Sequence, residues 1–442
     1  MRLIIQKIFV VAALFSAFSL QAAERPNIVL IMADDVAYDN NFGAYGARES
    51  WTPRLDQLAD EGITFEHAYS TPKCTPSRVK IMTGRSGIRN YEAFGVLPST
   101  ETTFAHMLQR AGYTTHAAGK WQLDGKGGTP TSEAGFDSWI LWNTQFGHGS
   151  RYWKPNFDVN GEHVTFADND YGPDLCVESI LDFVDQNKDG PFFVYYPMLL
   201  VHGPFKPTPD SVNRENTNQQ ENFKDMIQYM DKCVGRVVDG LKQAGVADNT
   251  IVLFCTDNGT NRVLQYESFG ETVSGKKGVP HDRGTHSPLI VWNPKHIAAG
   301  ARSSDMIDFS DVLPTLAEIA GADLPEAQLD GRSFWPQCIG EAGAPRDWIF
   351  QYYWPKSWSW IPDELGNEEL IWVQNQYYKL YGNGLFYDIV KDREELSPIS
   401  LNQLSAAQQQ TYEALKKAIA SMPETNAAYQ RKITKVQAEL AN

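Results

Sequence analysis

The chain has 442 residues, of which 42% are hydrophobic and 12% aromatic, and this length is sufficient for one large domain and one small domain. Its 54 acidic residues outnumber 39 basic residues, and the resulting net charge of −15 argues against nucleic acid or an anionic membrane surface as a partner. An anionic substrate would therefore have to be bound by a local cluster of cations.

The N-terminal segment, residues 1–23, has the pattern of a secretory signal peptide. Two basic residues, Arg2 and Lys7, precede an apolar run that is too short to span a bilayer. No later segment approaches 18 uninterrupted apolar residues. We therefore expect an exported protein, periplasmic or secreted, without a membrane span. The five cysteines are irregularly spaced and predict neither a disulfide framework nor a C-x-x-C metal site.

The first predicted strand, residues 25–33, ends in two carboxylates, Asp34 and Asp35. Its continuous apolar run favours a strand buried on both faces, and open α/β sheets bind ligands at the carboxyl ends of such strands. Adjacent acidic side chains repel each other unless a cation lies between them. The pair therefore predicts a metal site.

We predict a helix over residues 53–62 and a strand over residues 63–69. The stretch that follows, residues 71–85, is predicted to carry the catalytic residue. Pro76 suits the first turn of a helix, because its φ is already fixed and its missing N–H would have no partner there. Cys74 then lies at the helix N-terminus, where free amides and the helix dipole can hold an anion beside it, with Arg78 one turn on. Taken alone, a cysteine next to a helix start is more simply a buried structural residue.

The residues Cys74-Thr75-Pro76-Ser77-Arg78, followed by Thr83-Gly84-Arg85, resemble the C-x-P-S-R signature of the type I sulfatases. Members of that family also open with a strand and an Asp-Asp pair. The resemblance implies an alkaline-phosphatase-like α/β fold, with a mixed sheet sandwiched by helices. It also implies that a formylglycine-generating enzyme oxidises Cys74 to formylglycine, whose hydrated aldehyde supplies the nucleophilic oxygen.

A second helix is predicted over residues 102–112, and residues 112–123 after it resemble the sulfatase signature that ends G-K-W-H-L. Lys120 matches the family lysine that contacts the nucleophile and the sulfate. Gln122 stands where the family usually has a histidine, which handles the proton of the formylglycine hydroxyl. An amide cannot accept a proton near neutral pH, so we expect Gln122 to hydrogen-bond the nucleophile without acting as a base.

The middle of the chain supplies a candidate histidine. We expect residues 143–165 to form a loop near the substrate, followed by a helix over residues 171–186 and a buried strand over residues 191–200. The next residues, Val201-His202-Gly203-Pro204, resemble the family segment P-H-x-P, with Val201 in place of the first proline. By this resemblance His202 is an active-site residue, although a histidine at a strand end is more often structural when taken alone.

A helix over residues 222–245 precedes another buried strand, residues 249–256, which ends in Asp257 and Asn258. With Asp34 and Asp35, two strand ends now supply oxygen ligands. Hard oxygen ligands without thiolate or imidazole favour Ca²⁺ or Mg²⁺ over zinc or copper. The sulfatase family usually holds Ca²⁺ here.

Residues 275–289 resemble a looser family motif, G-x-K-G-x-x-x-E-G-G-x-R-x-P. Lys277 matches the lysine that contacts the sulfate. Asp282 replaces a glutamate, Arg283 a glycine and His286 an arginine, so His281, Arg283 and His286 are candidates for substrate contact. A strand over residues 289–292 and a helix over residues 305–320 complete the predicted catalytic domain, residues 24–345.

The composition changes after residue 345, where we expect a smaller α+β subdomain, residues 346–442. Short strands over residues 370–380 and 385–389 flank a turn, and an amphipathic helix follows over residues 406–422. A segment near the start of this subdomain is rich in tryptophan, with Trp354, Trp358 and Trp360.

These patterns predict a sulfatase, and its substrate is expected to be a sulfated carbohydrate such as a marine galactan of the carrageenan type. Arg78, Lys120 and Lys277 would stabilise charge on the sulfate oxygens, and His202 or Lys277 would protonate the leaving oxygen. Aromatic side chains can bury the C–H faces of sugars. We expect this of Trp142 and Trp153 in the earlier loop and of the three later tryptophans, unless these side chains only pack the small sheet against the large domain. The alternatives are a phosphodiesterase or phosphonate monoester hydrolase of the same superfamily and a catalytically silent sugar-binding protein.

Overall fold

The computed structural model describes residues 25–125, 127–354 and 369–424. The predicted signal peptide, Trp358 and Trp360 lie outside the described residues. No described helix combines the length and the apolar character that a bilayer crossing requires.

Sixteen strands and ten helices are found in the described residues. The strands are β1 (Asn27–Ala33), β2 (Ile63–Tyr69), β3 (Thr114–Lys120), β4 (Ser138–Trp142), β5 (Asn156–Val159), β6 (Glu162–Thr165), β7 (Phe192–Pro197), β8 (Thr250–Thr256), β9 (Gln265–Ser268), β10 (Glu271–Ser274), β11 (His286–Trp292), β12 (Ala301–Asp308), β13 (Ile349–Tyr353), β14 (Leu370–Gln374), β15 (Tyr378–Tyr381) and β16 (Phe386–Asp388). The helices are α1 (Pro53–Asp60), α2 (Cys74–Thr83), α3 (Gly87–Asn90), α4 (Phe104–Arg110), α5 (Gly172–Asn187), α6 (Gln219–Gln243), α7 (Asp282–Thr285), α8 (Val312–Ala320), α9 (Trp335–Cys338) and α10 (Ala406–Ala420).

A ten-stranded mixed sheet in the order β12-β2-β11-β8-β1-β7-β3-β4-β5-β6 forms the centre of the molecule. The central strands β8, β1, β7, β3 and β4 are parallel, whereas β11 is antiparallel to both of its neighbours. The carboxyl ends of the parallel strands therefore meet at one edge, which is where ligands bind in such sheets.

Both faces of the central sheet are covered, as the apolar strand sequences predict. Alternate residues of β1 enter two different cores: Val29 and Ile31 pack with α5 and α6, and Ile28 and Leu30 pack with α4 and α8. The sandwiched mixed sheet confirms the predicted fold class.

The smaller C-terminal layer is a four-stranded antiparallel sheet, β13-β14-β15-β16, with α10 packed on it. A buried polar link joins it to the large sheet. Lys80 of α2 donates through Nζ to Asp308 Oδ2 (2.5 Å) and to Gln351 Oε1 (3.2 Å), and the amide of Gln351 donates to the carbonyl of Ser70 (2.9 Å). The helix that begins at Cys74 is thus connected to both sheets.

Two predicted segments differ from the structure. Part of the expected loop at residues 143–165 forms the β5–β6 hairpin, in which Asn160 and Gly161 have φ of 51° and 91°, the conformation that favours Asn-Gly in two-residue hairpin turns. The expected helix over residues 305–320 begins only at Val312, because residues 301–308 pair with β2 as a strand and Asp308 accepts a hydrogen bond from the Ser310 amide.

Candidate active site

The two predicted strand ends lie side by side, because β1 and β8 are neighbours in the sheet. The Asp35 amide donates to Asp257 Oδ1 (3.2 Å), and the side-chain amide of Asn258 donates to Asp35 Oδ1 (2.8 Å). Asp34, Asp35 and Asp257 are fully buried and Asn258 is almost so. The structure thus brings together the four oxygen-bearing residues that the sequence predicts.

Two atoms of this cluster identify a place for a cation. Asp34 Oδ1 and Asn258 Oδ1 are buried and accept no hydrogen bond from any described residue. In addition, Asp34, Asp35, Cys74 and His202 each present one potential ligand atom within 4.8 Å of the others. A buried oxygen that accepts no hydrogen bond is costly, so the carboxylate and amide oxygens of Asp34 and Asn258 fit a hard divalent ion such as Ca²⁺ or Mg²⁺.

Asp257 is not part of that tight group of ligand atoms. Its Oδ2 accepts from the Arg78 guanidinium (2.9 Å) and its Oδ1 from the Asp35 amide. Its role as a metal ligand therefore stays a prediction.

Cys74 is the first residue of α2, as the position of Pro76 predicts, and its side chain is buried. The preceding loop is fixed to the helix by Ser77, whose hydroxyl accepts from the Thr71 amide (3.0 Å) and donates to the Lys73 carbonyl (2.9 Å). The position of Cys74 is therefore set by hydrogen bonds on both sides of it.

Three cations surround the carboxylates, and each is paired with a different one. All six side chains are at least nine-tenths buried, so the charges compensate one another in a medium of low polarity. The pairs are Arg78–Asp257 (2.9 Å), Lys120–Asp34 (2.6 Å) and Lys277–Asp35 (2.5 Å).

The carboxylates differ in their affinity for a proton. Burial alone would raise the pKa of Asp34, but Lys120 and His202 hold it well below its ordinary value. Burial and the neighbouring Asp34 raise the pKa of Asp257 to about 7, although Arg78 opposes this. Burial would lower the pKa of Lys277, yet Asp35 raises it, so this lysine remains an ammonium group.

His202 follows β7 and has one nitrogen engaged and one open. Its Nδ1 lies 2.7 Å from the Gly203 carbonyl, and because a carbonyl oxygen only accepts, Nδ1 carries the hydrogen. In the neutral ring Nε2 is then an acceptor, and it lies 3.7 Å from Asp35 Oδ2. Burial and the charge of Lys277 lower the pKa of His202 to about 3.

Gln122 follows the end of β3 with a φ of 60°, and its backbone N–H donates to the Asn143 carbonyl (3.0 Å). Its Oε1 is buried and has no hydrogen-bond partner among the described residues. The expected hydrogen bond from Gln122 to the nucleophile stays a prediction.

The three candidates of the looser motif contact residues outside the three charge pairs. Arg283 donates to Glu394 (2.5 Å), and His281 Nε2 lies 3.8 Å from the same carboxylate. His286 is stacked on Tyr38 (3.6 Å between ring centres) and bonds through Nε2 to the Glu66 carbonyl (2.8 Å). The ring of His286 is thus engaged by Tyr38 and Glu66. The predicted contact of all three residues with substrate stays a prediction.

Trp354 packs against the core of the C-terminal layer. The contact of Trp358 and Trp360 with a sugar stays a prediction. Its test is to replace each with alanine and to measure the rate on sulfated oligosaccharides.

Sequence reasoning missed two residues next to Cys74. Lys73 is 5% exposed, and burial together with Lys277 lowers its pKa to about 7. Tyr353, at the end of β13, has its pKa raised by burial and by the nearby Cys74. Lys73 could have been suspected from its position before Cys74, whereas no spacing in the sequence connects Tyr353 to the site.

Comparisons with known proteins agree with this geometry. Residues 26–322 match the family model described as sulfatase, and residues 270–424 match one described as N-sulphoglucosamine sulphohydrolase, C-terminal. Human (Homo sapiens) N-acetylgalactosamine-6-sulfatase is 30% identical over 352 residues, which cover 72% of this chain and 66% of that protein. Human arylsulfatase A is 32% identical over 386 residues, which cover 76% of this chain and 72% of that protein.

The chain thus spans about two thirds of the length of those relatives. Among solved structures, Ps i-CgsB superposes with a TM-score of 0.75 at 25% identity and covers 92% of this chain and 94% of its own. The same protein in complex with k-i-k-neocarrahexaose superposes with a TM-score of 0.74 at 24% identity and covers the same shares.

Proposed function

Because this chain belongs to the sulfatase family and is a sulfuric ester hydrolase, we propose that it removes sulfate from a sulfated carbohydrate, an oligosaccharide or a polysaccharide fragment. The observation that carries the proposal is the buried cluster at Cys74, in which three cations can meet a sulfate group while a divalent ion takes up the charge of the carboxylates. We also propose that the protein acts after export, in the periplasm or outside the cell.

Two groups complete the proposed site. Asp34, Asp35, Asp257 and Asn258 would hold Ca²⁺ or Mg²⁺, and a formylglycine-generating enzyme would convert Cys74. Together these groups would supply an oxygen nucleophile and the positive charge that lowers its pKa.

The residues of the chain have separate roles in this proposal. With the carboxylates neutralised by a bound ion, Arg78, Lys120 and Lys277 can donate to the sulfate oxygens, where negative charge increases during transfer. Lys277 is an ammonium group, so it would act as the general acid and protonate the sugar oxygen as the bond from that oxygen to sulfur breaks. The open Nε2 of His202 would accept the proton of the nucleophile.

The test is sulfate release by protein that has been coexpressed with a formylglycine-generating enzyme. A panel of sulfated glycans, which includes carrageenan oligosaccharides because the neocarrahexaose complex shares this fold, is compared with simple aryl sulfates. Intact-mass spectrometry measures the conversion of Cys74, and Cys74→Ala is the inactive control. We expect conversion and sulfate release from at least one glycan.

Two results would contradict the proposal. Turnover of phosphate or phosphonate esters in parallel assays, without sulfate release, would assign a phosphodiesterase or phosphonate monoester hydrolase. Failure of conversion at Cys74 together with no sulfate release would assign a silent sugar-binding protein.

A further inference from the structure

A cavity of about 780 Å³ lies beside the His202 loop and is separate from the cluster at Cys74. One wall is formed by residues 148–153, and the other by Pro204, Lys206, Pro207 and residues 214–217. Its volume falls within the range of pockets that hold small ligands, which is roughly 300–1,000 Å³. We call it the cationic cavity because of the side chains that line it.

Three cations line the cationic cavity: Arg151, Lys206 and Arg214. Within the described part of the chain, none of them is paired with a carboxylate, and Glu215 is the acidic residue at the rim. His148 also faces the cavity. Unpaired cations are gathered here although the protein as a whole has a net charge of −15. The lining therefore favours an anion.

Two of these cations are stacked on tryptophan rings. The guanidinium carbon of Arg151 lies 3.9 Å from the centre of the Trp142 ring, and that of Arg214 lies 3.9 Å from the centre of the Trp153 ring. Stacking on an aromatic face orients a guanidinium and leaves its N–H groups at the edge free to bind an anion. Arg151 Nη1 is in fact buried without a hydrogen-bond partner among the described residues.

The combination of aromatic and cationic groups indicates the chemistry of the ligand. A tryptophan face can cover the C–H surface of a sugar ring, while arginine donates to a sulfate or carboxylate on that ring. Neither an uncharged sugar nor a purely apolar ligand would use both groups.

The cationic cavity is linked to the active site through the Gly203 carbonyl. That oxygen accepts from His202 Nδ1 (2.7 Å) and from Arg151 Nη2 (2.8 Å). The Tyr152 hydroxyl also donates to the His202 carbonyl (2.5 Å), and Trp142 is paired in the sheet with Lys120. Both walls of the cavity thus begin next to residues of the active site.

We propose that the cationic cavity binds an anionic group, sulfate or carboxylate, on the sugar ring next to the one whose sulfate ester is hydrolysed. This inference rests on the proposed function and narrows its substrate to a glycan with at least two anionic groups. The partly exposed Trp153 contacts the neighbouring ring, and the three cations select its charge.

The experiment compares three oligosaccharides with one backbone. The first carries only the sulfate to be released, the second carries a further sulfate on the neighbouring ring, and the third carries a carboxylate there. We expect the wild type to prefer the second or the third by at least about tenfold in kcat/KM, the ratio that one charge-assisted contact provides. The better of the two identifies the anion.

Exposed cations of the cavity give the test variants, Lys206→Ala and Arg214→Ala. Each is expected to lower the preference for the doubly anionic oligosaccharide by about tenfold, mainly through KM. Lys295→Ala is the matched control, because Lys295 is an exposed lysine after β11, at the opposite edge of the sheet. It should leave the preference unchanged. An unchanged preference in the cavity variants, or a wild type without preference, would overturn the inference.

A binding measurement separates this inference from the proposed function. Isothermal titration calorimetry with the Cys74→Ala variant measures affinity for the same three oligosaccharides without turnover. If no substrate releases sulfate but Arg214→Ala in that background weakens binding of the doubly anionic glycan, the cavity is supported and the hydrolysis is refuted. If sulfate is released and binding is equal for all three glycans, the hydrolysis stands and the cavity inference is wrong.

Discussion

Buried His116 should make the stability of this protein depend on pH. His116 lies in β3, the strand that ends in Lys120, and its ring is stacked against Phe183 with 4.8 Å between the ring centres. Its Nδ1 lies 2.8 Å from the Ser138 hydroxyl and its Nε2 lies 3.2 Å from the Ser179 hydroxyl. Burial lowers the pKa of His116 from 6.5 to about 4. The ring is therefore neutral in the folded protein at pH 5, whereas it is mostly protonated in the unfolded chain.

The sign and size of the effect follow from this difference. Above pH 6.5 the ring is neutral in both states and the full stability is present, and stability is lost as the pH falls from about 6.5 to about 4. The complete loss is about 3 kcal/mol, at about 1.4 kcal/mol for each unit between the two pKa values. At pH 5 the free energy of unfolding is already lower by about 2 kcal/mol than at pH 8 because of His116.

His116→Gln removes the titration and keeps polar atoms for the two serines. We expect the free energy of unfolding of the wild type, measured by urea denaturation, to fall by about 2 kcal/mol more between pH 8 and pH 5 than that of His116→Gln. His296→Gln, at an exposed histidine, is the control and should follow the wild type. Equal pH dependence in the wild type and His116→Gln would refute the argument.

Three further predictions concern the active site. Chelation should abolish activity and Ca²⁺ or Mg²⁺ should restore it, and Asp257→Asn should lower the metal content measured by atomic emission; full activity with unchanged metal would contradict this. Gln122→Ala should lower kcat less than His202→Ala, whose loss is expected to be about 10²-fold or more, since a general acid–base group is removed; the reverse order would reassign the proton transfer. Arg78→Met should lower the free energy of unfolding in chelator by about 3–5 kcal/mol because it leaves Asp257 without its cation, and Arg78→Met/Asp257→Asn should recover part of the loss. Additive losses in that double variant would show that the pair is not coupled.

The sequence predicted which residues meet in the candidate active site because these residues follow strands with strong apolar patterns. Asp34 and Asp257 come directly after such strands, His202 lies in the loop after another, and parallel strands present their carboxyl ends at one edge. The order of the motifs along the chain was enough to predict that these residues meet. Which cation pairs with which carboxylate was not predictable, because Lys120 and Asp34 are 86 residues apart and their pairing depends on side-chain reach.

The sequence did not predict the strand β12 or the β5–β6 hairpin, and each has a physical reason. The strand β12 begins Ala301-Arg302-Ser303-Ser304 and lacks the apolar run by which buried strands are recognised, yet its backbone pairs with β2. The hairpin strands β5 and β6 have four residues each, which is too few to show a periodicity, and the Asn160-Gly161 pair is the local sequence signal that indicates this hairpin.

The polar link between the two sheets bears on how the protein unfolds. Lys80, Asp308 and Gln351 are all at least nine-tenths buried, so separation of the layers would leave an ammonium group, a carboxylate and an amide without partners in the interior. Such a separation is costly before any apolar surface is exposed. The two sheets should therefore melt as one cooperative unit, and a chain that ends near residue 345 should lack the tertiary support that holds Cys74 in place.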